Sequence, residues 1–152
     1  MMEQLIKRYR TLYPLKGTSG IKLMNIENKP DMKLPDDFKE IAQFYSGGLL
    51  GGISHFSISD KAEPNITRET LRLRQQSDLP HEYVVLAEPP SSLIVMNTAG
   101  TPAVLWVDAT DAEHLGKRAL VTPPDEWATY RDFFESLLDE EEEERDVGPF
   151  DR

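Results

Sequence analysis

Hydrophobic positions follow a helical period at the two ends of this chain and a strand-like pattern between them. Leu5, Ile6, Tyr9, Leu12 and Tyr13 recur at i, i+1, i+4, i+7 and i+8, which puts them on one face of an amphipathic helix over about residues 2–13. Pro14 ends it, because proline lacks the donor that would continue the ladder. Gly17 to Gly20 predicts a loop, and Ile21 to Ile26 a short strand or irregular segment, since its apolar residues do not alternate cleanly. Leu34-Pro35-Asp36-Asp37 starts a second helix: proline at the first helical position loses no hydrogen bond, and two carboxylates sit near the positive end of the helix dipole. Phe38, Ile41, Ala42 and Tyr45 follow at helical spacing, and Gly47 and Gly48 stop this helix.

Residues 52–58 (GISHFSI) predict a strand, followed by a polar loop containing Pro64. Ile66, Thr70 and Leu73 predict a short third helix with Arg68, Arg72 and Arg74 on its outer side. Tyr83 to Ala87, Leu93 to Thr98 and Ala103 to Asp108 are short β-branched runs separated by four or five turn-forming residues. Connections that short hold no crossover helix, so the three strands form an antiparallel meander. A further weak strand is expected near Arg118 to Thr122. Pro123-Pro124-Asp125 opens a last helix, with Trp127, Tyr130, Phe134, Leu137 and Leu138 along one face. Asp139 and Glu140 to Glu144 continue it with five like-charge pairs at i,i+3 or i,i+4. At about 0.2–0.5 kcal/mol each these cost roughly 1–2.5 kcal/mol, so fraying is expected there and a mobile tail over residues 146–152. The fold class that follows is α+β, one domain over residues 1–145 with a largely antiparallel central sheet flanked by helices.

The length of 152 residues is enough to build a core without a metal or a disulfide, and the chain has no cysteine, which removes thiol nucleophiles and cysteine metal sites. The longest strongly apolar stretch, Ala103 to Val107, is far short of the roughly 20 residues of a membrane helix. With no apolar core of signal-peptide length near the start, a cytoplasmic protein is expected. The net charge of -10 is unevenly placed. Residues 1–74 hold 12 basic and 9 acidic side chains, and residues 75–152 hold 5 and 18, so the halves stand at +3 and -13. Such a field disfavours direct binding to nucleic acid or membrane and favours cationic partners.

No catalytic constellation emerges. Gly47-Gly48-Leu49-Leu50-Gly51-Gly52 follows a helix and lacks the lysine and hydroxyl of a phosphate cradle, so a helix stop and tight entry into a strand explain it. His55, His81 and His114 are 26 and 33 residues apart, with no i,i+4 pair to start a metal site. Asp108, Asp111 and Glu113 lack calcium-loop spacing and suit a solvated loop after a strand. Ser91 and Ser92 lack a nucleophile elbow. Asp36, Asp37 and Glu40 suit the dipole and the surface, and Asn65-Ile66-Thr67 matches a glycosylation acceptor that matters only on export. No cofactor is implied. Trp127, on the last helix's apolar stripe, belongs in the core. Trp106 points away from the face of Leu105 and Val107, toward a face that is either covered by a helix or open to a partner.

Together these elements resemble the SUKH superfamily, the bacterial relatives of the yeast Smi/Knr cell-wall regulator. The resemblance covers about residues 30–138. It rests on Leu34-Pro35-x-x-Phe38, Tyr45 with Ser46-Gly47-Gly48, the three strands, and Trp127-x-x-Tyr130-x-x-Phe133-Phe134 in a closing helix. It implies an α+β domain without enzymatic activity: an immunity protein that binds and blocks the C-terminal toxic domain of a cognate polymorphic toxin, often a nuclease. The acidic half fits a nuclease, which must present cations to phosphates. The expected partner surface comprises Glu88, Asp108, Asp111 and Glu113 with Trp106, on a monomer or weak dimer. The alternative is a regulatory scaffold of the yeast cell-wall-regulator type.

Overall fold

Six antiparallel strands lie in the sheet in the order in which the chain makes them. The computed structural model describes residues 2–13, 34–58 and 63–146. Pro14, the Gly17–Gly20 loop, the Ile21–Ile26 segment and the tail beyond residue 146 lie outside the described residues.

The strands are β1 (Gly48–Leu50), β2 (Ile53–His55), β3 (Tyr83–Ala87), β4 (Ser92–Asn97), β5 (Val104–Asp108) and β6 (Asp125–Trp127). Helix α1 (Met2–Leu12) and helix α2 (Asp36–Ile41) precede the sheet, α3 (Ile66–Ser77) lies between β2 and β3, and α4 (Tyr130–Asp146) closes the described chain. A 3₁₀ helix (Ala109–His114) follows β5. The meander of β3, β4 and β5 pairs as its short turns require, with Val95 opposite both Val85 and Leu105. A bulge between Val85 and Ala87 interrupts the ladder, and the Val85 N–H donates to the Thr70 hydroxyl of α3 at 2.9 Å.

Alternation sorts the strands' side chains onto two faces, and both are covered. Val84, Leu86, Ile94, Met96 and Val104 join a core with α1, α2 and α4, built around Tyr9, Phe38, Phe44, Tyr45, Phe133 and Phe134. The rings of Tyr9 and Tyr45 meet edge-on at 5.5 Å, and those of Tyr45 and Phe134 lie 5.1 Å apart. On the opposite face Val85, Leu93, Val95, Leu105 and Val107 pack with Leu73 of α3 and with Leu79 and Leu115. This is a single-domain α+β fold.

Four expectations need correction. GISHFSI is not one strand: β1 and β2 form a hairpin, and the pairing of Leu50 with Ile53 leaves only Gly51 and Gly52 in the turn. Their φ values of 62° and 77° are those of the primed turns that match strand twist, so the second glycine pair makes a hairpin, not the entry to a single strand. Arg118 to Thr122 forms no strand. It is irregular, and Asp111 takes up the backbone donors of Val121 and Thr122. The last helix starts at Tyr130, and Asp125–Trp127 is the edge strand β6. The start signal is Thr129, whose hydroxyl accepts from the Asp132 N–H at 3.0 Å, while residues 125–127 satisfy the outer edge of β5. Finally, α4 runs through the glutamates to Asp146 instead of fraying.

Arg8 of α1 explains the last result. Its guanidinium binds Asp139 at 2.6 Å and Glu142 at 2.8 and 3.0 Å, and Glu135 lies 4.0 Å away. Arg145 adds an i,i+4 pair with Glu141 at 2.9 Å, and Glu141 also accepts from the Gly51 N–H at 3.1 Å. The contacts from Arg8 and Gly51 are tertiary, and with the Arg145 pair they offset a repulsion that the run of carboxylates would otherwise carry. The Glu142 carboxyl is held below its usual range by Arg8. At the other end of α4, the Asp37 carboxylate accepts from the N–H groups of Phe38 at 2.8 Å and Arg131 at 2.9 Å, joining the first turns of α2 and α4.

Candidate binding surface

The turn between β3 and β4 and the end of β5 lie together: Ser92 is opposite Asp108, and the Ala109 N–H donates to the Ser91 carbonyl at 2.9 Å. Glu88 opens that turn, exposed, and accepts from Arg72 at 2.9 Å. Asp108 is exposed and caps the 3₁₀ helix, accepting from the Thr110 N–H at 2.9 Å and the Thr110 hydroxyl at 2.8 Å. These bonds, the backbone one foremost, hold its carboxyl below the usual range. Glu113, on the 3₁₀ helix, is exposed.

Asp111 stands apart from these three. Its side chain is 1% exposed, and it accepts from the N–H of Thr122 at 2.8 Å and of Val121 at 2.9 Å, with His114 Nδ1 at 3.1 Å. The two backbone donors hold the carboxyl below its usual range. This carboxylate pins the loop after the 3₁₀ helix and is turned inward, away from the acidic surface expected of it.

Trp106 lies on the α4 face of the sheet, half-buried against the larger core. It borders a groove of about 330 Å³ that runs between the Gly51-Gly52 turn, the β5–β6 edge and α4. Asp125 is directly opposite Trp106 on the ladder, and Trp127 is two residues further along the same face of β6. The Trp127 ring meets Phe133 of α4 at 4.8 Å and 69°, so it is half-buried at the rim of the core and not on a helix. Glu140 lines the groove from α4, and neither its carboxylate nor that of Asp125 has a hydrogen-bond or ion-pair partner among the described residues. Trp127, Asp125 and Glu140 could not be joined to Trp106 from the sequence, because a helix starting at Pro123 hides the pairing that brings them together.

The glycine-rich segment makes a hairpin turn, not a phosphate cradle. The histidines are separate: His55 is buried, His81 is exposed, and His114 meets Asp111 and Arg118. Among the described residues, no group of three or more His, Cys, Asp or Glu is placed to hold a metal ion. Burial pushes the His55 imidazole down to about 4, against the effect of a bond to the Leu50 backbone. At the far end of the sheet a more open cleft of about 1040 Å³ lies between the start of α2, the Asn97–Thr101 turn and the first turn of α4.

The SUKH_5 family model, described as SMI1-KNR4 cell-wall, matches residues 2–116. That span is well over half of the chain. It runs from α1 through the 3₁₀ helix and contains the whole β1–β5 run.

The chain belongs to the SUKH (SMI1-KNR4) family.

The match starts earlier than the Leu34-Pro35 motif and stops before Trp127, so β6 and α4 lie outside it. No curated protein matches the chain. In this SUKH protein the matched region therefore supplies Glu88, Asp108, Glu113 and Trp106, while the far wall of the groove comes from the unmatched C-terminal segment.

Proposed function

We propose that this SUKH-family chain is an immunity protein that binds and neutralises the toxic domain of a cognate polymorphic toxin, a cationic nuclease acting on RNA or DNA. The reading rests on family membership combined with one physical observation. The acidic excess falls in residues 75–152; Glu88 and Asp108 are exposed at one end of the sheet, and Glu113 is exposed on the 3₁₀ helix that follows β5. A nuclease groove must attract phosphates, so an acidic surface can occupy it and be steered to it at on the order of 10⁸–10⁹ M⁻¹s⁻¹ at low salt. Rapid capture is the property an antidote needs.

The action is non-enzymatic in this reading. The polar clusters built into the fold, Asp37 with Phe38 and Arg131 and Asp111 with Val121 and Thr122, are taken up in holding elements together. No described helix is long and apolar enough to cross a membrane, and the proposed site of action is the cytoplasm.

The direct test is co-expression with the C-terminal domain of the toxin encoded beside this chain, scored for rescue of growth and for a stable complex. Rescue without complex formation, or a complex without rescue, removes the blocking mechanism. The double variant Glu88→Lys and Glu113→Lys should slow association and flatten its salt dependence; unchanged inhibition would take this end of the sheet out of the interface. The family's cell-wall description favours a second reading, a regulatory scaffold. Complexes with signalling proteins in cells that encode no toxin would support it.

A further inference from the structure

We propose that the groove between Trp106 and Trp127 is a receptor for a single arginine side chain of a basic protein partner. The inference rests on the toxin-binding reading for the partner's biological identity, but its chemistry is read from the groove. Opposite residues on an antiparallel ladder have Cβ atoms about 5 Å apart and diagonal ones about 7–8 Å. Asp125 opposite Trp106, with Trp127 diagonal to it on the same face, therefore places a carboxylate among the two indoles. Glu140 adds a second carboxylate from α4, and the groove's lining contains no cationic residue.

Each alternative occupant meets a physical objection. An aliphatic side chain would desolvate two carboxylates without replacing their water. An anion, including a nucleic-acid phosphate, would meet two like charges. A guanidinium offers donors to both carboxylates, lays its planar face on indole, and leaves its apolar stem against the Leu137 wall. It is also more weakly hydrated than an ammonium, which favours arginine over lysine. The volume of about 330 Å³ is at the small end of ligand pockets, which suits one side chain. The T-shaped contact of Trp127 with Phe133 holds that indole in place before a ligand arrives.

The chain has two tryptophans, so a ¹H–¹⁵N spectrum carries two indole N–H signals. The probe is N-acetyl-arginine amide, with its neutral isostere N-acetyl-citrulline amide as the control. Both indole signals should move saturably with the arginine probe and not with citrulline. The surface variant Asp125→Asn with Glu140→Gln, which removes two exposed charge pairs to the guanidinium, should weaken the apparent affinity by roughly fivefold, while its remaining spectrum reports an intact fold. Trp106→Phe, which keeps a ring at that position, should leave weaker but measurable binding, read on the Trp127 signal. No movement up to the probe's solubility limit, equal movement with citrulline, or unchanged affinity in the charge-neutral variant overturns the proposal. Failure of co-expression rescue alone would overturn the toxin reading and leave the arginine receptor standing.

Discussion

Replacing His55 by phenylalanine should remove a defined part of this protein's sensitivity to acid. His55 is 8% exposed, its ring lies 6.2 Å from Tyr45 and 6.0 Å from Phe133, and its Nε2 has no hydrogen-bond partner among the described residues. Charging the imidazole in that setting is unfavourable, so protonation falls from the ordinary 6.5 to about 4. Between those values the unfolded chain binds a proton that the folded chain does not. Stability is therefore complete above about pH 6.5 and is lost as the pH falls toward 4. A separation of about 2.5 pH units, at roughly 1.36 kcal/mol per unit, amounts to about 3 kcal/mol by pH 4. The variant loses the bond to the Leu50 backbone and repacks around a slightly larger ring, costs that do not vary with pH. Urea unfolding of both proteins at several pH values from about 8 to 4 isolates the effect, because titration of the other groups is common to both and cancels in the difference. The wild-type curve should fall relative to the variant by about 3 kcal/mol across this range. Parallel curves would refute the reasoning and mean that His55 is hydrated or charged in the folded chain.

Three further outcomes follow from particular contacts. Arg8→Gln should cost about 1 kcal/mol, in keeping with a partly exposed ion-pair network. It should loosen α4 beyond Asp139 in hydrogen exchange, and the difference from wild type should shrink at high salt. Gly47→Ala should destabilise by roughly 2 kcal/mol or more, because its φ is 98° and a Cβ would lie 2.5 Å from the Phe56 carbonyl oxygen. Gly52→Ala, at φ 77° with open space around it, should cost only about 1 kcal/mol, and equal losses in thermal melts would contradict the assignment. Asp111→Ala, which removes both acceptor oxygens, should abolish the exchange protection of the Val121 and Thr122 amides while leaving that of β4 intact. The wild-type carboxyl is held below its usual range by those amides, so its contribution is present above the unfolded-chain value and disappears as the pH falls through the folded one. Retained protection at low pH would count against that role.

The periodic segments were readable because their own residues decide them. The stripe from Leu5 to Leu12, the Phe38–Tyr45 spacing and the three β-branched runs each encode a local period, and short turns force neighbouring strands to be antiparallel. The order of these elements also carried the family resemblance, although the Trp127 motif placed in a closing helix contributes its tryptophan to a strand. Apart from the β1–β2 hairpin, which the local Gly51-Gly52 turn decides, the departures arise where a partner distant in the chain supplies the deciding energy. Residues 125–127 carry proline and acidic signals of a helix start, but pairing with β5 satisfies that strand's outer edge. The glutamate run is repulsive in isolation, but Arg8, more than 130 residues earlier, binds Asp139 and Glu142 and offsets part of that repulsion. Asp111 looks like any loop acid until the loop folds back and offers two amides. The candidate surface divides in the same way. By itself the sequence determined that the acidic excess lies in the second half and that Trp106 faces away from Leu105 and Val107. Only the tertiary structure decided which carboxylates reach solvent and which line a groove with both indoles, because long-range pairing sets which side chains converge.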